Sequence, residues 1–321
     1  MHHPVLIIGG DFEQCYDRAA HPAQSITFQA WGVPQSSVKL MLLCLQTMKF
    51  CLRTGFGESE ELYGGSLTDQ TMGLGQGNTA GPSGFSCLAS LAVNAYRRQG
   101  HGAKLTSAYM ARVFVLAAVM YVDDTDLLHR PPEAATSDVE LIAHTQTATT
   151  AWGELAQSTG GALKREKCYA YLLMYRFRNG KASLKRRSHF PPPADRFTLD
   201  DGKSAVGHIH IPQPDGATKY IPTREVDEAE KMLGVHFKPL GTGKEHMEAM
   251  CKKGYDWADR LDTRPLPCRD AWFSFDLQVL KGAEYGLTAV TMPAAQLNKI
   301  VQRLYFRLLP KLGVNRQIKK E

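Results

Sequence analysis

Residues 119–126 read Val119-Met120-Tyr121-Val122-Asp123-Asp124-Thr125-Asp126. Two adjacent carboxylates end an apolar run, and the pattern predicts a strand over 111–122, a tight bend, and a second strand over 125–128. An apolar strand is expected to be buried. A desolvated carboxylate costs several kcal/mol, by order of magnitude, unless a positive partner offsets it. A strand that breaks into Asp-Asp at a turn therefore points to a bound divalent cation as that partner. Asp11 stands in a similar setting, at the end of a β-branched and apolar run that predicts a strand over Val5–Phe12.

Composition sets the frame for these two strands. The chain has 321 residues, 43% hydrophobic and 22% charged, which suits a soluble globular protein of about two domains. The longest uncharged apolar stretch, Val113 to Val122, is too short to cross a bilayer, so no membrane partner is expected. Only a brief apolar run follows Met1-His2-His3, which is not a secretory signal. The seven cysteines form no C-x-x-C pair and read as reduced thiols of an intracellular protein, nuclear or cytoplasmic. Charge divides unevenly. Residues 1–160 hold 9 Lys and Arg against 14 Asp and Glu; residues 161–321 hold 29 against 18. An acidic first half before a basic second half fits a metal site beside a polyanion-binding surface.

Further elements follow from local pattern. Pro34 to Phe50 has helical spacing, and a helix of small residues follows the glycine-rich stretch Gly73–Gly84 to about Arg97. Ser137 is placed to cap a helix running to Gln157, with Val139, Ile142, Trp152 and Leu155 inward. Gly160-Gly161 stops it, and Cys168–Phe177 and Lys231–Phe237 read as strands. Residues 178–222 are polar, with Asp201-Gly202 and Asp215-Gly216 as hairpin turns. Three helices are expected near 244–262, 269–285 and 293–309.

Five constellations occur in order: Asp11-Phe12-Glu13-Gln14-Cys15-Tyr16-Asp17; Gln76-Gly77; Tyr121-Val122-Asp123-Asp124; Gly160-Gly161-Ala162-Leu163-Lys164-Arg165-Glu166-Lys167; and Leu233-Gly234. Their order and spacing resemble motifs A to E of the reverse transcriptase family, over roughly residues 5–315. The wording Cys15-Tyr16-Asp17-Arg18 and Val122-Asp123-Asp124-Thr125-Asp126-Leu127 is similar to retrotransposon-type open reading frames. The resemblance implies an α+β fold: a palm of antiparallel sheet with helices on one face, then a helical thumb-like region. The expected domains are 1–177, palm core with partial fingers; 178–230, a basic polar insertion with hairpins; and 231–321, a primer-grip strand and thumb-like helices.

The resemblance also implies RNA-directed DNA polymerase chemistry with two Mg²⁺ ions, or Mn²⁺, acting on an RNA template, a DNA primer and deoxynucleoside triphosphates. Asp11 and Asp123 would be bridging metal ligands, Asp124 an auxiliary one, and the Phe12 carbonyl would complete one metal's shell. Tyr16 would be the gate against a ribose 2′-hydroxyl. Tyr16 and Val122 stand where RNA-dependent RNA polymerases of viruses usually carry Asp and Gly, and both favour DNA synthesis. Gln76 and Gly77 would pack under the templating base and incoming nucleotide, although Gly75 and Gly81-Pro82 replace the family's Pro and Ser-Pro. Lys167 would protonate or steady the leaving pyrophosphate; its plain alternative is a solvated lysine. Leu233 and Gly234 would lie in the primer grip, or in an ordinary strand.

Arg176, Arg178, Lys181, Lys185, Arg186 and Arg187 place six cations in twelve residues, with Tyr175, Phe177 and Phe190 nearby. The run suits phosphate contact with base stacking, or a solvated linker. Motif A begins ten residues from the start, ahead of which the family carries its fingers, so an amino-terminally truncated element with low or no incorporation by itself is expected. Two other readings stand beside the polymerase: a non-catalytic nucleic-acid-binding module or decayed relic, and a generic metal-dependent phosphotransfer or nuclease domain. The intact Asp11, Asp123 and Asp124 speak against the former. Tyr16, Gln76 and the ordered motifs speak against the latter.

Overall fold

Val5-Leu6-Ile7-Ile8-Gly9-Gly10-Asp11 alternates as a half-buried strand should, with Leu6 and Ile8 in the core. It is the centre of the structure, a computed structural model that describes residues 3–66, 72–75, 77, 79–107, 109, 112–131, 137–191, 209–232, 234–241, 243–263, 265–287, 290 and 293–314. The chain divides into two units, Met1–Glu225 and Val226–Glu321. The expected boundary at 230/231 lies near this division. The one at 177/178 falls inside a hairpin.

The first unit runs β1 (Val5–Asp11), α1 (His21–Ala30), α2 (Gln35–Gln46), β2 (Arg53–Thr54), β3 (Gly57–Glu58), α3 (Ala80–Arg98), β4 (Ala103–Thr106), β5 (Val113–Leu116), β6 (Ala118–Tyr121), β7 (Asp124–His129) and α4 (Asp138–Ser158). It continues with β8 (Tyr169–Leu173), β9 (Tyr175–Arg178), β10 (Lys181–Leu184), β11 (His210–Pro212) and β12 (Thr218–Tyr220). Four strands form an antiparallel sheet in the order β6-β7-β1-β8. Leu6, Ile8, Leu127 and Leu172 share one core with Phe85 and Leu88 of α3 and Leu141 and Trp152 of α4. Phe12, just past β1, ties the layers together. Its ring meets Phe85 edge-on at 5.4 Å and Trp152 at 5.9 Å.

Helix α4 has a full capping box. Ser137 Oγ accepts from the Glu140 N–H at 3.2 Å, and Glu140 Oε2 accepts from the Ser137 N–H at 2.7 Å. Its buried stripe differs from the expected one. Trp152 is buried, but Val139 faces water and Ile142 and Leu155 are only partly covered; Leu141, Thr145, Ala148 and Thr149 take the inner positions. The two threonines can be buried because their hydroxyls donate to the carbonyls of Leu141 and Thr145, one turn back.

The apolar run 111–122 is not one buried strand. It breaks at Ala117 into β5, which pairs with β4 in a separate ribbon, and β6, at the sheet edge. Val113, Phe114, Val115 and Val119 are exposed, so hydrophobicity here does not signal burial. The segment 168–177 also splits, into β8 and β9. The hairpin β9–β10 turns at Asn179-Gly180 with φ of 49° and 71°, the primed-turn signal. Hairpin β11–β12 turns at Asp215-Gly216 as expected; Asp201-Gly202 lies outside the described residues.

The second unit holds hairpin β13 (Glu230–Met232) to β14 (Val235–Phe237), which turns through Gly234 at φ 84° where a single strand was expected. Helices follow: α5 (Lys244–Thr263), α6 (Cys268–Ser274), a π turn (Phe275–Leu280), α7 (Lys281–Leu287) and α8 (Ala294–Lys311). The three expected helices are all present, the middle one interrupted by the π turn. No helix among the described residues is long and apolar enough to cross a membrane.

A buried imidazole should make the first unit acid-sensitive. His129 accepts from the Gly102 N–H at 3.2 Å, and burial, with His101 and His144 nearby, pushes it down to about 4. Between pH 6.5 and 4 the unfolded chain takes up a proton that the folded chain refuses, so stability falls as pH falls. Denaturant unfolding should show a loss on the order of 2 kcal/mol across that window from this group. The slope should flatten in His129→Gln; an unchanged slope would show that other groups set it.

Candidate active site

The carboxylates gather at one end of the sheet. Asp11 lies directly opposite Asp124, and Asp124 opposite Tyr121 on the other side. Asp123 sits in the turn between β6 and β7, and its carbonyl accepts from the Phe12 N–H at 3.4 Å. The turn is strained. Val122 has φ 58°, a left-handed conformation that β-branched residues rarely adopt. A strained backbone, held by the hydrogen bond from Phe12 just past β1, fixes where the turn that carries the Asp pair lies.

Burial follows the sequence reading at Asp11 and departs from it at the Asp pair. Asp123 is half-exposed and Asp124 exposed, whereas Asp11 is only 4% exposed. Asp11 Oδ2 is paired with Lys167 Nζ at 2.7 Å, while Oδ1 is buried with no hydrogen-bond partner. Lys167 comes from the expected glycine-led segment, which is fastened to β1. Lys164 N–H donates to the Asp11 carbonyl and Glu13 N–H to the Ala162 carbonyl, both at 2.8 Å. The hydrogen bond to Asp11, with the charges of Asp11, Asp123 and Asp124, holds Lys167 above the ordinary lysine value against some desolvation. Lys167 thus pairs directly with Asp11 and feels the charges of Asp123 and Asp124. Among the described residues, no three His, Cys, Asp or Glu side chains are grouped as a ready metal site.

Tyr16 stands beside this cluster. Its ring packs edge-on to Phe85 at 6.0 Å and against Gly81, and its carbonyl accepts from the Leu74 N–H. Burial, then the charges of Cys15, Asp123 and Tyr121, push its hydroxyl up. Cys15 was not singled out from sequence. It is buried, and desolvation followed by Asp123 pushes the thiol up to about 11, so it stays protonated at neutral pH.

Gly9 is explained by a contact that no local pattern reveals. Tyr169 on β8 lays its ring over Gly9 and reaches across β1 to Asp126 on β7, hydroxyl to carboxylate at 3.1 Å. A Cβ at Gly9 would stand 2.2 Å from that ring. The glycine thus admits a side chain of the same sheet. Desolvation drives Asp126 up to about 6, against the Tyr169 hydrogen bond and with some help from Asp124.

The remaining expected residues are less tightly placed. Gln76 and Leu233 lie outside the described residues. Gly77, at φ 89°, is exposed with open space where a Cβ would be, and Gly234 lies in the second unit against Tyr285. The basic run is partly spent internally. Lys185 pairs with Asp138 at 2.7 Å, Arg187 binds Glu225 and the Thr223 carbonyl, and Arg176 contacts Ser183 and His189. Arg178, Lys181 and Arg186 are exposed, as is Phe177. Phe190 is a core residue, which rules it out as a stacking platform in this fold.

Gly9→Ala should cost about 1–3 kcal/mol in urea unfolding, because the methyl must displace a packed ring and strip Asp126 of its donor. Tyr169→Ala in the same background should recover the steric part. If Gly9→Ala alone is neutral, the ring does not lie over β1.

No protein-family model matches the chain, and no curated protein matches it. Among solved structures it is similar to apo telomerase from Candida tropicalis, with 9% identity and TM-score 0.40, over 97% of this chain and 46% of that one. It is also similar to telomerase from Candida albicans in complex with the TWJ fragment of telomeric RNA, with 12% identity and TM-score 0.36, over 96% and 44%. A third likeness, to Candida tropicalis telomerase in complex with the same kind of fragment, has 11% identity and TM-score 0.35, over 61% and 32%. The chain spans less than half the length of each, and these likenesses are distant.

Proposed function

We propose that the first unit carries the nucleotidyl-transfer centre of a retrotransposon-type reverse transcriptase, extending a DNA primer on an RNA template with deoxynucleoside triphosphates. One observation carries this reading: a buried carboxylate, Asp11, with Oδ1 unpartnered, lies opposite Asp124 and beside the Asp123 turn at one sheet end, next to a lysine held protonated. The donor chemistry suits a hard cation, which takes carboxylate and carbonyl oxygens. Asp11, Asp123 and Asp124, with the Phe12 carbonyl, would hold Mg²⁺. When bound, two such ions lower the barrier by activating the primer hydroxyl and stabilising the leaving pyrophosphate.

The chain's own groups have separable tasks in this proposal. Asp11, fixed by strand β1 and Lys167, supplies a carboxylate whose position does not depend on solvent. The strained Val122 turn orients Asp123 before substrate arrives, which is preorganisation in the sense that matters for catalysis. Lys167, kept protonated by its neighbours, meets the negative charge that builds on pyrophosphate and can return a proton to it. Tyr16, held by Phe85 and Gly81, presents an aromatic wall near Asp123 where a 2′-hydroxyl would sit. Arg178, Lys181 and Arg186 would contact phosphates of the template or primer.

The non-catalytic alternative draws on the same ion pair, since Lys167 already neutralises Asp11. Primer extension on an RNA template with Mg²⁺ or Mn²⁺ separates the two. Extension should be low but metal-dependent, and should fall at least about a hundredfold in Asp123→Asn. Incorporation without added metal, or incorporation indifferent to Asp123→Asn, overturns the catalytic reading. In the active protein, Tyr16→Ala should raise the ratio of ribonucleotide to deoxynucleotide incorporation; an unchanged ratio removes Tyr16 as the gate.

A further inference from the structure

The helical unit holds an apolar pocket of about 210 Å³, partly open to solvent, between α5, the π turn, α7 and α8. Phe275, Val279, Leu280, Leu297 and Ile300 are among its apolar walls. Protein interiors are normally close-packed, and an unfilled apolar space forfeits dispersion contacts on every side. For scale, an apolar cavity of about 150 Å³ takes up benzene. The present one has room for about two fused rings by that measure.

A second observation singles out the same place. One wall is the π turn Phe275–Leu280, which contributes Phe275, Gln278, Val279 and Leu280 to the lining. π geometry is rare, and it recurs as single turns at functional sites because it widens the helix and redirects side chains. The mouth is also charged on one side. Lys253 lies over Gly282, its Nζ 3.1 Å from where a Cβ would stand, and among the described residues it makes no ion pair. The nearby acid, Glu284, is neutralised by Lys281 at 3.0 Å.

We propose that this cavity is a binding site for a compact, flat apolar molecule of about two fused rings bearing one anionic group, which Lys253 meets at the mouth. The site stands apart from the polymerase reading and is tested without activity. The test uses the full chain with 2-naphthoate and its neutral isostere 2-naphthamide as probes, in isothermal titration and ligand-observed NMR. Both should bind saturably at one site. Lys253→Gln should weaken naphthoate about three- to fivefold, the size of one exposed ion pair, and leave naphthamide unchanged. Ala283→Phe should fill the cavity and abolish both, with the circular dichroism spectrum preserved. Absent or non-saturable naphthoate binding overturns the proposal. So does undiminished binding in folded Ala283→Phe, or equal effects of Lys253→Gln on the two probes. Should Ala283→Phe fail to fold, the Lys253 comparison alone decides.

Discussion

Burying Asp11 is the constraint on which the first unit turns. A carboxylate at the end of a central strand, 4% exposed and facing Asp124 across the ladder, is untenable without a cation. Lys167 supplies it, from a segment hydrogen-bonded directly to the acid's own backbone. The segment from Gly160 to Lys167 is bonded to the backbone of Asp11 and Glu13, so the lysine arrives where the acid is. The pair leaves Oδ1 unanswered. The fold thus meets only half of this buried acid's hydrogen-bonding needs.

Rigidity around that acid comes from unlike sources. Phe12 anchors the residue after it in an aromatic cluster with Phe85 and Trp152. Tyr169 bridges three strands over Gly9 and binds Asp126. Val122 stores backbone strain in the turn that carries Asp123, and the hydrogen bond from Phe12 keeps it there. Each contact joins elements distant in sequence, and together they restrict the carboxylates to one end of the sheet. The second unit is organised differently, around Trp257, Phe275 and Leu304 in helix packing, and its π turn opens space instead of closing it.

Much of this was legible in the sequence where the cause is local. Asp123-Asp124 at a bend, Ser137 with Glu140 three residues on, Asp215-Gly216 and the three late helices follow from turn chemistry, capping and periodicity. Asn179-Gly180 is an equally local signal, set among polar neighbours. Other readings failed because partners decide them. Lys185 and Arg187 look like free cations until Asp138 and Glu225 are brought beside them from 47 and 38 residues away. Phe190 looks like a surface aromatic within a basic run, yet packs in the core.

The sequence by itself determined which residue types stand at strand ends and turns, since backbone preference and side-chain chemistry are properties of neighbours along the chain. It placed acids at Asp11, Asp123 and Asp124 and a lysine at Lys167. The tertiary structure decided which of them is buried. The apolar run before Asp123 became an exposed ribbon and edge strand, while Asp11 went into the interior, because sheet order β6-β7-β1-β8 puts β1 in the middle and β6 at the rim. Burial depends on the strands that lie on either side, and no stretch of sequence contains that information.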